Sequence, residues 1–148
     1  LIANSKNEMR KFLINKLKDK KLSSTTLISK YSYVCQSAII GDGSIICPNV
    51  YIGPNTIIGD NALIHANCNI DHDCVIANNV NLSPGVNLAG SVKIGDNVTI
   101  YTGANIAPKI TINNNIVIGI GSTILNDLLR AGIYYGTPAK IIKNLQHE

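Results

Sequence analysis

Asp71, His72 and Asp73 place an imidazole between two carboxylates, in the stretch NCNIDHDCVIANN at residues 67–79. A histidine titrates near pH 6.5, so His72 can take up and return a proton close to neutrality. Moving an acyl group onto an amine or hydroxyl needs a base for the nucleophile's proton. It also needs a group that orients the base and a donor for the negative charge that develops on the carbonyl oxygen. An imidazole with an adjacent carboxylate supplies the first two.

Those residues must be held by something regular, and the chain is regular. Every sixth residue from Val34 through Ile70 and Ile76 to Ile124 is Val, Ile or Leu. Four residues after each stands a small or branched one, from Ala38 and Ser44 through Cys68 and Cys74 to Ser122. A period of six with two inward positions fits neither an α-helix nor an alternating strand. It predicts a hexapeptide-repeat β-solenoid in which three hexads, about 18 residues, close one triangular coil. Residues 34–128 supply a little over five coils, each side stacking on the one before at about 4.8 Å. A narrow prism has room only for small aliphatics, which accounts for a chain with no Trp and one Phe.

The period also assigns directions. His72, two residues after Ile70, faces outward, whereas Cys74 falls on an inward position and is rejected as a nucleophile. Gly90 stands one coil after His72, where a bare glycine lets a ligand approach the backbone and keeps its N–H free. Gly41, Gly59, Ala77, Gly95 and Asn113 recur every eighteen residues, mostly types that tolerate a positive φ at a corner.

Composition narrows the field further. The net charge of +4 is local: residues 1–22 hold seven Lys or Arg against Glu8 and Asp19. The remainder is close to neutral, and a basic helix face is a better reading than a track for nucleic acid. Cys35, Cys47, Cys68 and Cys74 show no CxxC spacing, so they read as small buried hydrophobes. No apolar run approaches membrane-spanning length and no signal peptide is visible, which points to the cytoplasm. The opening LIANSKNEMRKFLINKLKDK predicts the end of a strand, a cap at Asn4 or Ser5, and a helix with Met9, Phe12, Leu13 and Leu17 on its apolar stripe.

The hexads of IIGDGS, YIGPNTIIGDNA and VKIGDNVTI resemble the left-handed β-helix acyltransferases, and YYGTPAKIIK resembles their closing motif. The run NIDHDCVIANNVNLSPGVNLAGSVKIGDNVTI is similar to the bacterial amino-sugar N-acetyltransferases and sialic-acid O-acetyltransferases. Their N-terminal sugar-nucleotide-binding α/β domain is resembled by LIANSKNEMRK. The resemblance implies an all-β, left-handed parallel β-helix over residues 31–129. It implies the last strand and helix of an otherwise missing α/β domain over 1–30, and a closing segment over 130–148. It further implies a homotrimer with acetyl-CoA between neighbouring prisms, no resident metal, and direct attack by an amino sugar nucleotide of the UDP-4-amino type on the thioester, in surface-glycan biosynthesis.

Residue by residue, the resemblance makes His72 the base and Asp73 its partner, with Asp71 the less favoured carboxylate. Asp73 replaces the Glu often found there and is one methylene shorter. Gly90 takes the thioester carbonyl, while Thr102 and Ile120 contact acetyl-CoA, with Gly119 and Gly121 keeping the groove open and Lys140 and Lys143 near its phosphates. Asn81 stands where a second histidine commonly contacts acetyl-CoA; it can donate a hydrogen bond but carries no charge. Ser5 stands where a glycine usually meets the nucleotide sugar. His65 reads as structural and His147 as incidental.

Other readings remain. O-acetylation of sialic acid or another polysaccharide sugar uses the same residues, and a degenerate remnant would keep the fold. A zinc hydratase on such a prism needs three imidazoles, and only His65 and His72 lie in the repeat. Ice binding needs an outward threonine array, which Thr56, Thr99, Thr102 and Thr111 do not form.

Overall fold

A computed structural model describes residues 7–22 and 24–145. From Leu27 onward nearly every hexad forms a two-residue rung, and a four-residue corner leads to the next. Each rung pairs in parallel with the rung eighteen residues on, as Tyr51 pairs with Asn69 and Val75 with Lys93. Three faces result. The first carries Leu27–Ile28, Ile45–Ile46, Leu63–Ile64, Asn81–Leu82, Thr99–Ile100 and Ile116–Ile118. The second runs from Tyr33–Val34 and Tyr51–Ile52 through Asn69–Ile70 to Thr123–Ile124, and the third from Ile39–Ile40 through Ile57–Ile58 and Val75–Ile76 to Thr111–Ile112. The chain is a left-handed parallel β-helix of about six turns.

The rung at Leu27–Ile28 pairs with Ile45–Ile46, so the prism begins one rung before the boundary expected at residue 31. Ile28 is the guide residue that precedes Val34 by one hexad. At the other end the spacing contracts: Leu128 bridges to Ile112, and Gly132 pairs with Ile116, sixteen residues rather than eighteen. Gly132–Gly136 then folds back against Ala139–Asn144 as an antiparallel pair, closing the first face.

The core is the predicted column. Ile52, Ile70, Leu88, Ile58, Ile76, Ile64 and Leu82 are sealed from solvent, with Val80, Val86 and Cys74 between them. Burial of each large aliphatic contributes about 1.5–3 kcal/mol. Inward hydroxyls are satisfied locally: Thr56 Oγ1 donates to the carbonyl of Asp71 at 2.8 Å and accepts the amide of Cys74 at 3.3 Å.

From Ile40 to Ile118 the third residue after the guide is left-handed, as at Asn49, Asn55, Asn61, Asn67, Asp73 and Asn79 and at Gly85, Gly103 and Gly121. Asn and Asp visit this region because their short polar side chains bond locally. This corrects the expectation for Gly41, Gly59 and Gly95, which do not have positive φ. Their smallness has another cause: a Cβ on Gly59 would meet the backbone carbon of Ala77 at 2.9 Å and Oδ1 of Asn78 at 2.7 Å.

Helix α1 spans Asn7–Asp19. Its shielded side is Arg10, Leu13, Ile14 and Leu17, while Met9 and Phe12 are exposed, against the predicted stripe. The reason is the wall it meets. The adjacent corner is a polar ladder, and Arg10 docks there, its Nε donating to Oδ1 of Asn79 at 2.9 Å and its Nη2 to the Asn79 carbonyl at 2.8 Å. Burial pushes the Arg10 guanidinium down to about 10, which leaves it cationic at neutral pH. The expected strand at LIA, the cap at Asn4 or Ser5, and His147 lie outside the described residues.

Candidate active site

The corner between the second and third faces is built from one position of each successive coil: Gln36, Pro54, His72, Gly90 and Pro108. Rung Asn69–Ile70 delivers the chain to this corner, and the left-handed Asp73 (φ 57°) turns it toward Val75–Ile76. That turn brings the Asp73 carboxylate back to its neighbour, so His72 Nδ1 lies 2.7 Å from Asp73 Oδ2. The backbone is pinned as well. The Asp73 amide donates to Pro54 O at 2.9 Å, and the Ser91 amide donates to His72 O at 2.9 Å.

Asp71 does a different job: its Oδ1 accepts the His72 backbone amide at 2.8 Å. Of the two candidate carboxylates, Asp73 is therefore the one bound to the ring. Its hydrogen bond is the main cause of the upward shift of His72 from the ordinary 6.5, and the charge of Asp71 adds to it. Reciprocally, bonds from His72 and Asn55 hold the Asp73 carboxyl below its usual range. Both side chains are about half exposed in the single chain, so water still screens the pair.

Gly90 sits beneath the ring. A Cβ there would lie 2.5 Å from His72 Nε2 and 2.6 Å from Cε1, so only glycine leaves the imidazole where it is. Among the described residues the Gly90 amide donates to no group, while its carbonyl accepts from Lys109. One corner thus holds an imidazole with Nδ1 bound to carboxylate, a free Nε2, and an open backbone donor one coil away. This arrangement can accept a proton on Nε2 and stabilise a developing oxyanion.

The remaining expected residues lie elsewhere on the prism. Thr102 and Ile120 stack on successive coils at the corner between the first and second faces, and both are exposed. Gly121 (φ 62°) has open space around it, but Gly119 does not keep a groove open, since a Cβ there would run into the Tyr135 ring. Asn81 is on the first face and sealed from solvent, with neither carboxamide atom in hydrogen-bond geometry. His65 is close enough to Asn81 to influence the ring's titration, and burial pushes that ring below the ordinary value. Within one chain, then, His72, Asp73 and Gly90 come together and Asn81, Thr102 and Ile120 do not join them. Ser5 lies outside the described residues. Cys74 points inward, and burial pushes its thiol up.

One further side chain, which the sequence pattern did not single out, touches the pair. Asn55 Nδ2 donates to Asp73 Oδ1 at 3.2 Å from the coil before. Applying the eighteen-residue period backward from Asp73 was the signal that finds it. No group of three His, Cys, Asp or Glu able to hold a metal occurs among the described residues. No helix among them is long and apolar enough to cross a membrane.

Residues 55–90, which include both His72 and Gly90, match the family of bacterial transferase hexapeptides (six repeats). Among solved structures, the perosamine N-acetyltransferase PerB from Caulobacter crescentus, in complex with CoA and GDP-perosamine, is similar at 31% identity and TM-score 0.92. That match covers 95% of this chain and 68% of PerB. The acetyltransferase domain of PglB from Neisseria gonorrhoeae is similar at 28% identity and TM-score 0.90, over 95% of this chain and 68% of that one, and it has also been solved with acetyl coenzyme A. The N-acyltransferase AntD from Bacillus cereus shares the fold at 18% identity and TM-score 0.73, over 89% of each chain. Curated proteins gave no match. Fold and corner together define a hexapeptide-repeat transferase of the left-handed β-helix class. Within that class, this chain belongs to the acetyltransferase family of its neighbours PerB and PglB.

Proposed function

We propose that the chain transfers the acetyl group of acetyl-CoA to the amino group of an amino sugar carried on a nucleoside diphosphate, with His72 as general base. The observation that carries this reading is the His72 ring bound to Asp73 through Nδ1 and set directly over Gly90. The sequence resemblance suggested a UDP-4-amino sugar. PerB bound to GDP-perosamine widens the acceptor class to nucleoside-diphosphate amino sugars.

Acetyl-CoA supplies an activated thioester. His72 Nε2 takes the proton that leaves the acceptor nitrogen as its bond to the acyl carbon forms, then returns it to the departing thiol sulfur. Asp73 keeps the proton of the neutral ring on Nδ1, so that the lone pair of Nε2 faces the acceptor. The Gly90 amide, free of other partners, is the donor for the carbonyl oxygen. Its unpaired N–H is also what favours binding of the acetyl donor at this corner.

A single prism offers only shallow relief here: a groove of about 430 Å³ opens on the third face along Val75, Lys93, Gly95, Thr111 and Asn113. A molecule the size of CoA needs a second wall. We place that wall on a neighbouring copy in a homotrimer, which lets the exposed Thr102 and Ile120 of one prism face the His72 corner of another; Asn81, sealed within its own chain, does not reach the acetyl donor there. Ser5 would lie toward the sugar nucleotide. Because acetyl-CoA and nucleotide sugars are cytoplasmic metabolites, the reaction belongs in the cytoplasm, in bacterial surface-glycan biosynthesis. Acetylation of a sugar hydroxyl is the second reading, since the base and donor serve either nucleophile.

Thiol release from acetyl-CoA in the presence of nucleoside-diphosphate amino sugars tests the proposal. His72→Ala lowers turnover by roughly 10²–10⁴-fold and leaves the thermal midpoint nearly unchanged, because the side chain is on the surface. Unaltered turnover in that variant refutes the assignment.

A further inference from the structure

We propose that Asn55 is a positioning residue of the same site, acting through Asp73 to fix the ring of His72. The inference rests on the general-base reading of His72. Asp73 has two carboxylate oxygens and each has one partner: Oδ2 meets the ring nitrogen at 2.7 Å, and Oδ1 accepts from Asn55 Nδ2 at 3.2 Å. Without the second bond the carboxylate is free to rotate about its Cβ–Cγ axis and release the ring. With it, the plane of the carboxylate is set from the coil before.

Asn55 is itself held. Its backbone is in the left-handed region (φ 57°), and its amide donates at 3.0 Å to Ser37 Oγ, one coil earlier still. Ser37, Asn55 and Asp73 therefore form a column of three stacked corners ending on the catalytic imidazole. The shortness of aspartate matters here. A carboxylate one methylene from the backbone stays over the corner, within reach of a side chain stacked eighteen residues away. The comparable rung from Asn49 Nδ2 to Asn67 Oδ1 at 3.3 Å belongs to another corner and touches neither His72 nor its carboxylate. The charged groups acting on His72 are Asp71 and Asp73, so the ring reports on Asp73's placement.

Two substitutions keep the backbone conformation while altering the donor. Asn55→Gly deletes the carboxamide at a position where glycine accepts a positive φ. Asn55→Asp keeps the shape and replaces the donor with a charge. Each is compared with wild type and with Asn49→Gly, a stacking control, by steady-state kinetics and by NMR titration of the His72 ring, assigned by its disappearance in His72→Ala.

Asn55→Gly is expected to lower kcat about tenfold, short of the roughly 10²–10⁴-fold loss of the base itself, with little change in KM for acetyl-CoA. The His72 ring then titrates closer to its ordinary value and populates less of the Nδ1–H tautomer. Asn55→Asp moves the ring's titration upward, so activity lost at neutral pH returns at higher pH. Asn49→Gly shifts neither. The proposal is overturned if Asn55→Gly lowers the thermal midpoint but leaves kcat and the titration of His72 as in wild type. If His72→Ala itself retains full turnover, the general-base reading has failed instead, and the two results cannot be confused.

Discussion

At the residue scale, the chemistry turns on which form of His72 is present. A base must be neutral, and the bond to Asp73 favours the protonated ring, so kcat/KM rises as pH climbs through a value above the ordinary 6.5. Replacing Asp73 with Asn removes the larger cause of that shift. The acid limb of the kcat/KM profile then moves to lower pH while the plateau falls, because a less basic ring is also less well held in the Nδ1–H tautomer. A pH profile measured on Asp73→Asn checks both, and an acid limb that stays in place would count against the role of Asp73. Much of this site was legible beforehand. The type of His72 and its distance of one coil from Gly90 are statements about spacing, and spacing in a repeat is geometry. The choice of Asp73 over Asp71 was not legible from the residues alone. It depends on a left-handed turn at Asp73 that folds its carboxylate back while Asp71 engages the backbone. The coil period reaches Asn55 from Asp73 as it reaches Gly90 from His72, but that Asn55 bonds the free oxygen of Asp73 depends on the same turn, which aims that carboxylate at the column.

At the scale of the rung and corner, the period dictates the inside and leaves the outside open. Guide residues at Ile52, Ile70 and Leu88 are interchangeable aliphatics because each sees only the narrow interior. The corners are less uniform, and the positive-φ position was misjudged because glycine has two uses that look alike in sequence. At Gly59 the constraint is the approach of the next coil. Gly59→Ala is expected to cost about 1–3 kcal/mol, the range for forcing an extra methyl into a packed site, and to appear as a lowered midpoint in urea unfolding. Asn61→Gly, at a left-handed corner two residues on, costs far less because glycine accepts that backbone. Equal destabilisation by the two changes would contradict the distinction. The end effects, with the contraction to sixteen residues at Leu128 and the rung at Leu27–Ile28, lie where the hexad rule stops being the only constraint. The docking of α1 through Arg10 was equally hidden, because helical periodicity scores Met9 and Phe12 as the face to bury and cannot see that the wall is made of asparagines.

At the scale of the whole molecule, the outward columns differ along the prism in a way no hexad requires. On the third face Ile39, Ile57 and Val75 are substantially exposed, and the column then turns polar at Lys93 and Thr111. On the second face Tyr33 and Tyr51 stack at 5.5 Å between centroids, both exposed, before Asn69, Asn87 and Asn105 follow. Apolar groups therefore flank the His72 corner over the same early coils, an arrangement that favours cover by another chain over contact with water. In the proposed trimer this is the surface a neighbour contacts beside the site, and the wall for acetyl-CoA comes with it. Ile57→Glu puts a charge in that patch without touching the interior, since the Ile57 side chain points outward. The expected result is a smaller assembly by light scattering, an unchanged β-rich circular dichroism spectrum, and acetyl transfer that falls with the fraction of dissociated protein. Adding protein should restore activity per chain by mass action, which separates lost assembly from lost chemistry. A variant that remains trimeric at low concentration and fully active would move the interface to a different face and take the second wall of the site with it.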